Sequence, residues 1–167
     1  MATHTPHTRT YEYLAPFTDF AQVAQLDGLE LMRRVLAGEL PAPPITATLG
    51  FTLVEVERGR AAFEGTTADW QYNPLGTVHG GWSATLLDSA LGCAVHSTLA
   101  AGELYTTIDL QVRFLRPVVA TSGRMRAEAQ VVHAGRRIAT ADARLVGGDG
   151  KLYATATASC LVMTASH

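Results

Sequence analysis

The stretch GWSATLLDSALGCAVHSTLA, residues 81–100, has the length of a multi-turn helix and contains no proline. Asp88 is its one acidic residue, and the remainder is almost entirely apolar or small. Such a composition predicts a helix that is buried on most of its sides. Other elements must therefore wrap around it, because one apolar helix cannot shield itself from water.

The chain after this helix changes to a period of two, which is typical of strands that bury one face. In TTIDLQVRFLRP the predicted inward set is apolar and the outward set is polar. The inward set is Ile108, Leu110, Val112 and Phe114, and the outward set is Thr107, Asp109, Gln111 and Arg113. The segments GRMRAEAQVVHAG, RRIATADARLVGG and KLYATATASCLVM repeat the pattern, with turns at Gly135 and at GGDG. We expect an antiparallel meander of four strands.

The chain before the helix adds two strands and a helix. LGFTLVEVERGRAAFEGTT predicts a hairpin that turns at Arg58-Gly59. Further upstream, Asp19 is the expected cap of a helix that starts near Phe20 and ends at Gly38, and PAPP at 41–44 is expected to be extended. The predicted organisation is a flexible tail (1–16), an N-terminal helix (17–40) and a main domain (45–164). The fold class is α+β, with about six antiparallel strands wrapped round one long central helix and the N-terminal helix outside.

Composition limits the kind of protein this can be. The chain has 167 residues, 17% of them charged, and a net charge of −2, with no basic stripe that would suit nucleic acid. No apolar run is long enough to span a membrane, and the first residues do not resemble a signal peptide. The two cysteines give no disulfide framework, and no histidine cluster has metal-ligand spacing. We expect a cytoplasmic protein without metal or cofactor, and the low charge suggests apolar surface buried between subunits.

The loop ADWQYNPLGTVHGG leads into the helix through Gly80 and Gly81. The first turn of a helix has unpaired N–H groups at its positive end, and two glycines leave them uncovered. A carbonyl or oxyanion could therefore approach closely, as in an oxyanion hole. The alternative is that the glycines are there only for steric reasons.

Asp88 faces small residues such as Gly81, Ala84 and Gly92 along the predicted helix. A carboxylate in an apolar setting is costly unless it is paired, so it is either functional or part of an ion pair with Arg113 or Arg116. Beside an oxyanion hole it could attack an acyl group or activate water. A serine or cysteine nucleophile is disfavoured, because Ser83 and Ser89 lack a G-x-S-x-G setting and Cys93 suits a core position.

NPLGTVHGGWSATLLDSALGCA, followed by YTTIDLQVRFLRPV, resembles the hotdog-fold thioesterases, in particular their PaaI-like, phenylacetic acid degradation-related branch. The resemblance covers about residues 45–163, and GELPAPPI also resembles one group in that branch. It implies an acyl-CoA thioesterase. Asn73 would position the thioester or water, His79 would shape the loop, and the Gly80 N–H would polarise the carbonyl. Asp88 would be nucleophile or general base, assisted by Thr107 or, as second candidate, Thr106.

The resemblance also implies a homodimer with active sites at its interface, further paired into a homotetramer. Asn73 and Gly80 of one subunit would face Asp88 and Thr107 of the other. Gly81 and Trp82 would contact substrate, and Trp70, Tyr72, Trp82 and Leu86 are candidates for the acyl pocket. For the coenzyme A phosphates we expect Arg136 and Arg137 first and Arg116 second, although these could also be ordinary solvated residues.

Two other functions remain open from the sequence. A hotdog hydratase or dehydratase acting on acyl thioesters is one, but the His and acidic pair usual for those enzymes is not found in a matching motif. A non-catalytic acyl-CoA binding or sensing protein is the other. The sequence does not choose between aryl and fatty acyl groups.

Overall fold

The computed structural model describes residues 5–15 and 24–164. In these ranges the chain forms helices and strands that we number in order. They are α1 (Gly28–Leu36), α2 (Pro44–Leu49), β1 (Phe51–Glu57), β2 (Arg60–Thr66), α3 (Gly80–His96), β3 (Glu103–Phe114), β4 (Arg124–Ala134), β5 (Ile138–Gly147) and β6 (Leu152–Thr164). Short 3₁₀ turns lie at Asp69–Gln71 and Ala120–Ser122.

The six strands form one antiparallel sheet in the order β1-β2-β4-β5-β6-β3, and the sheet wraps around α3. The side of α3 that faces the sheet is fully buried at Leu86, Leu87, Ala90, Leu91 and Ala94. This is the α+β hotdog architecture predicted from the sequence, with strands β1 and β3 at the two edges. The predicted four-strand meander is wrong at β3, which pairs with β6, whereas β4 pairs with β2 and β5. Only β4, β5 and β6 form a meander among the last four strands. Within the described ranges, no helix is long and apolar enough to cross a membrane.

The central helix ends earlier than residue 100, the limit of the predicted segment. Ser97 follows the last helical residue, and its hydroxyl donates to the Ala94 carbonyl at 2.7 Å. The same hydroxyl accepts from the Gly59 N–H at 2.7 Å, which fastens the β1–β2 turn to the end of α3. A serine that bonds its local backbone in this way competes with continuation of the helix.

The N-terminal helix is shorter than predicted. Asp19 and Phe20, its predicted cap and start, lie outside the described residues, and residues 24–27 are not helical. The helix begins at Gly28 because Asp27 caps it, accepting from the Glu30 N–H at 2.9 Å. A Cβ on Gly28 would lie 1.7 Å from the carbonyl oxygen of His96, so glycine lets α1 lie directly against the end of α3.

The proline-rich connector is only partly extended. Pro44 opens α2, since proline fits the first helical position, where its missing N–H has no helical partner to lose. Residues 5–15 form neither helix nor strand. One side chain of that segment nevertheless docks: Arg9 donates to the Thr48 carbonyl at 2.8 Å and lies 3.9 Å from the Trp70 ring centroid.

Strand β3 departs from strict alternation. Thr107 pairs with Cys160 and Asp109 with Ser159, so Ile108 is an extra, bulged residue. The predicted inward set is therefore wrong at Ile108, which is 55% exposed, and the predicted outward set is wrong at Thr107. The bulge shifts the inward face by one residue, so Thr107 points to α3 on one side of it and Leu110 on the other. Phe114, also predicted to be buried, is 56% exposed at the end of the strand.

The outer face of the sheet carries an ion-pair network on β1, β2 and β4. Arg126 donates to Glu128 at 2.8 Å, to Glu64 at 3.0 Å and also to Glu55. Arg144 of β5 donates to the second oxygen of Glu128 at 2.9 Å. These strands are thereby linked on the face turned away from α3.

Candidate active site

The loop before α3 is held by Asn73. Its side-chain oxygen accepts from the N–H groups of Leu75, at 2.9 Å, and Thr77, at 3.3 Å. Its amide nitrogen donates to the Thr77 hydroxyl at 2.9 Å. The predicted site residue Asn73 thus holds the loop, and one of its two amide hydrogens has no acceptor among residues 5–15 and 24–164.

His79 and Gly80 form the entrance of α3. His79 caps the helix, and its Nδ1 accepts from the Gly81 N–H at 2.9 Å. That bond uses the Gly81 donor, so the prediction that Gly81 contacts substrate is not supported through its N–H. The Gly80 N–H has no acceptor among the described residues. The Gly80 N–H is therefore free to bind an oxyanion at the positive end of the helix, which is the role that the sequence predicts for it.

An open pocket of about 380 Å³ adjoins this entrance. It is lined by Asn73, Gly80, Phe114 and Arg116, among others. A Cβ on Gly80 would lie only 3.0 Å from Cζ of Phe114, so the Phe114 ring covers the glycine from one side. Sequence reasoning missed this role of Phe114, because it placed the residue in the core.

Asp88 and Thr107 meet on the side of α3 toward β3. The Thr107 hydroxyl donates to Oδ1 of Asp88 at 3.2 Å, and both residues are half-buried. Thr106, the second candidate, is exposed, so the β3 bulge selects Thr107. No ion pair of the described residues involves Asp88, which excludes the predicted alternative of pairing with Arg113 or Arg116 there.

Within a single chain, the two halves of the predicted site lie apart from each other. Gly80 and Asp88 are eight residues apart on α3, which is two turns and about 12 Å along the axis. Asn73 and Gly80 line the pocket at the start of the helix, whereas Asp88 and Thr107 lie farther down it. A single thioester carbonyl cannot contact the Gly80 N–H and the Asp88 carboxylate of the same chain.

Tyr105 closes the helix face beyond Asp88. A Cβ on Gly92 would lie 2.6 Å from the Tyr105 hydroxyl oxygen, and the His96 ring is 5.4 Å from the Tyr105 ring. Burial raises the pKa of Tyr105 well above its ordinary value and lowers the pKa of His96. Both shifts favour the neutral form of the side chain at pH 7. Sequence reasoning missed Tyr105, since only the bulge shows that it faces α3.

Cys93 lies on the other flank of α3. Burial, with a smaller contribution from the Asp88 charge, raises the pKa of the Cys93 thiol to about 12. The thiolate needed for a nucleophile is therefore disfavoured, in agreement with the core role predicted for this cysteine.

Trp82 is predicted to contact substrate, but the single chain buries it. It is 4% exposed and packs in the core, and its indole N–H donates to the Leu49 carbonyl at 2.8 Å. Leu86 is fully buried as well, so neither can line an acyl pocket in this structure. The indole bond instead joins α3 to the end of α2.

Trp70 and Tyr72, the other two candidates for the acyl pocket, remain at the surface. The Arg9 guanidinium lies over the Trp70 ring, and the Ala120 N–H donates to the Tyr72 hydroxyl.

The cations predicted for coenzyme A lie in two places. Arg136 and Arg137 are exposed in the β4–β5 turn. Arg116, the second choice, lies in the pocket with Asn73 and Gly80 and donates to the Leu152 carbonyl. Arg116 therefore shares a pocket with other predicted site residues of its own chain.

Comparisons with known proteins show which family and which structures this chain is similar to. A sequence model of the Thioesterase superfamily matches residues 75–154. The chain is 31% identical to the medium/long-chain acyl-CoA thioesterase YigI of Salmonella typhimurium, with 71% of this chain and 85% of that protein covered. It is 36% identical to the phenylacetic acid degradation-related protein of Ralstonia eutropha, whose crystal structure superposes with a TM-score of 0.70, covering 77% and 97%.

A curated relative from Halobacterium salinarum is 42% identical over 42% of this chain, and its name assigns it only provisionally to the esterases. The chain spans about half of the length of that relative, with 46% covered.

Proposed function

Because the chain belongs to the thioesterase superfamily, we propose that it hydrolyses an acyl-CoA thioester to the free acid and coenzyme A. The observation that carries this proposal is the pair formed by Asp88 and the Thr107 hydroxyl, two helical turns from the unpaired Gly80 N–H. A carboxylate and an oxyanion donor are what acyl transfer to water requires.

The two halves act together in a homodimer. Asp88 and Thr107 of one subunit face Asn73 and Gly80 of the partner subunit, and a two-fold axis makes two such sites. The exposed edge strand β3 supports this arrangement, because Ile108 is 55% exposed there and Phe114 56%. Burial of these side chains against a second copy removes apolar surface from water. Further pairing of dimers gives the homotetramer, which light scattering can test.

The chemistry follows from the donors available. The Gly80 N–H binds the thioester oxygen and stabilises the negative charge that develops on it. As general base, Asp88 takes a proton from water, the water oxygen bonds to the carbonyl carbon, the C–S bond breaks and the proton passes to the coenzyme A thiolate. As nucleophile, an oxygen of Asp88 bonds to the carbonyl carbon, the C–S bond breaks and coenzyme A leaves as its thiolate. Water then hydrolyses the mixed anhydride to the free acid and the Asp88 carboxylate, and the proton released passes to the thiolate. Thr107 fixes the carboxylate orientation in either case.

The coenzyme A arm leaves toward solvent. Arg116 supports binding of its phosphates at the Gly80 pocket, and Arg136 and Arg137 are exposed in the β4–β5 turn. The name of the Salmonella relative specifies medium and long acyl chains, and that of the Ralstonia protein relates it to phenylacetic acid degradation. Both fatty and aryl acyl groups are therefore included in the test.

The test is release of free thiol from a panel of acyl-CoA esters, with Asp88→Asn measured in parallel. The panel contains phenylacetyl-, hydroxybenzoyl-, acetyl-, butyryl-, octanoyl- and dodecanoyl-CoA. We expect Asp88→Asn to lower kcat by about 10²- to 10⁴-fold. Asp109→Asn is the matched control, since Asp109 is an exposed carboxylate of the same strand as Thr107. Full activity of Asp88→Asn would refute its role, and tight coenzyme A binding without any turnover would indicate a binding protein.

A further inference from the structure

The guanidinium of Arg9 is anchored at the end of α2. Its Nη1 donates to the Thr48 carbonyl at 2.8 Å, and its Nη2 donates to the Ala47 carbonyl at 3.1 Å. Both carbonyls belong to the last turn of α2, where a helix has no N–H groups of its own left to pair with them. A positive charge also suits the negative end of a helix. Arg9 is therefore held by two charge-assisted hydrogen bonds.

The same guanidinium lies against Trp70, which belongs to another part of the chain. Its carbon is 3.9 Å from the Trp70 ring centroid, a cation–π distance. The two groups meet beside Gly50, since a Cβ there would lie 3.4 Å from Cζ2 of Trp70 and 3.6 Å from Nη2 of Arg9. Nearby, Nδ1 of His7 is 3.6 Å from Oδ2 of Asp69, the residue before Trp70. The N-terminal segment thus contacts one turn at two points.

This turn leads directly into the candidate site. Trp70 is the middle residue of the 3₁₀ turn Asp69–Gln71. The Gln71 carbonyl accepts from the His79 N–H at 2.7 Å, and His79 caps α3. The backbone next to Trp70 is therefore hydrogen-bonded to the residue that precedes Gly80.

The loop between the turn and α3 is closed by bonds between its two legs. The Asn73 N–H donates to the Thr77 carbonyl at 2.7 Å, and Tyr72 and Val78 form an antiparallel bridge. Neither leg can move far without the other. A displacement of the 69–71 turn would therefore carry Asn73 and the entrance of α3 with it.

We propose that residues 5–15, which we call the N-terminal arm, hold the loop of the candidate site in place through Arg9. Arg9 does not line the Gly80 pocket, so it is a positioning residue that acts on the Gly80 N–H through Trp70 and His79. The catalytic part of this assignment rests on the proposed thioester hydrolysis, whereas the ordering of the loop does not. It gives a function to a segment that lies outside the sheet and the helices.

Hydrogen–deuterium exchange in the full chain measures the order of the loop. Arg9→Met keeps the length of the side chain and removes its charge and its donors. Arg58→Met is the matched control, because the exposed Arg58 also donates to a carbonyl, that of Thr98, but beyond the far end of α3. We expect the amides of Val78 and His79 to exchange at least about fivefold faster in Arg9→Met, with the core strands unchanged. Arg58→Met should leave exchange in the loop as in wild type.

Kinetics then tests whether this order serves the site. We expect Arg9→Met to lower kcat by about three- to tenfold for the most active acyl-CoA of the panel, with KM within about twofold of wild type. The reason is that a misplaced donor slows the reaction without removing a substrate contact. Arg9→Lys keeps the charge and should recover part of the loss. In a Trp70→Leu background, Arg9→Met should have little further effect, since the two residues act along one path.

The two measurements separate failure of this proposal from failure of the proposed function. Unchanged loop exchange in Arg9→Met would overturn the proposal, and so would faster exchange throughout the fold, which indicates general destabilisation. Faster loop exchange with full kcat would overturn the positioning role and leave the thioesterase standing. No hydrolysis by wild type, with faster loop exchange in Arg9→Met, would refute the proposed function and leave the hold of the arm on the loop. Additive losses in the double variant would exclude Trp70 as the route.

Discussion

The Thr107 hydroxyl donates to Oδ1 of Asp88 at 3.2 Å, although regular alternation along β3 would direct Thr107 to the outer face. The bulge at Ile108 is what turns it inward. A β-bulge commonly re-aims a side chain beside a functional site, and here it gives the carboxylate a donor.

Replacement of Thr107 by Val keeps the side-chain shape and removes this donor. We expect kcat to fall about tenfold, the equivalent of about 1.4 kcal/mol for one hydrogen bond to a charged group. Thr106→Val is the control, because Thr106 is its exposed neighbour on the same strand. Equal losses in both variants would show that the effect comes from β3 itself and not from the bond to Asp88.

Mixed dimers test whether two chains share each site. Asp88→Asn and Gly80→Ala damage different halves, so a mixed dimer contains one intact site. Co-refolding of the two should restore activity to about a quarter of wild-type sites, since half of the dimers are mixed and one of their two sites is intact. A mixture of Asp88→Asn with Thr107→Val, which damage the same half, should be no more active than the average of the two variants measured alone. No recovery in the first mixture would place the whole site in one chain.

Gly80→Ala should lower kcat/KM through its contact with Phe114. The new methyl group would lie 3.0 Å from Cζ of that ring, so the ring or the helix entrance must move. We expect a loss of about 10- to 100-fold, because misplacement of an oxyanion donor has effects of this order. The double variant Gly80→Ala/Phe114→Leu should recover part of the activity. A double variant as inactive as the single one would exclude the ring as the cause.

Arg126→Met should destabilise the fold in a pH-dependent manner. The hydrogen bond from Arg126, with a smaller contribution from Arg144, holds the pKa of Glu128 below its ordinary value of 4.5. A lowered carboxyl pKa stabilises the fold at pH above that value, and the contribution is lost as pH falls through the lowered pKa. We expect a loss of about 1 kcal/mol at pH 7, because the groups are partly exposed.

Urea unfolding from pH 7 down to pH 3 measures this prediction. The difference between wild type and Arg126→Met should shrink below pH 4.5, and Arg144→Met should show a smaller difference throughout. If the difference in unfolding free energy stays constant from pH 7 to pH 3, the stabilisation by Arg126 does not depend on ionised Glu128.

Trp82→Phe should affect stability and spare catalysis. The variant keeps a large ring in the core but leaves the Leu49 carbonyl without its indole donor, at a cost of about 1–2 kcal/mol. The kcat/KM for butyryl-CoA should stay within about twofold of wild type. A large change in KM with unchanged stability would return Trp82 to the substrate site.

Much of this molecule could be predicted from residue patterns. The nearly uncharged helix and the period-two segments are strong signals. A helix buried on most sides is apolar almost throughout, whereas a strand buried on one face alternates apolar and polar residues. Gly80 and Asp88 stand out in the sequence as a glycine at the start of the helix and a carboxylate in an apolar stretch, and their catalytic roles stay predictions. The Ile108 bulge leaves no such signal, since an apolar residue suits either face of an edge strand. The inward position of Thr107 and the exposure of Phe114 depend on that bulge and on pairing with β6.

Other features depend on contacts between distant parts of the chain. Trp82 is a candidate substrate contact in the sequence, but only the fold brings the Leu49 carbonyl to its indole nitrogen. The cap of α1 is Asp27, and its signal was hidden by an apolar pattern that continues upstream of it. The docking of Arg9 on Trp70 likewise has no local signature.

The two-turn distance between Gly80 and Asp88 has a consequence for how the proposed enzyme responds to its own abundance. In the proposed enzyme a monomer contains every site residue but cannot form a complete site. The monomer–dimer equilibrium, and therefore the total protein concentration, sets the fraction of active sites. Specific activity should then fall on dilution below the dissociation constant of the dimer, and a tightly binding acyl-CoA that bridges two chains should restore it. Synthesis of more chain would raise activity more steeply than in proportion to its amount.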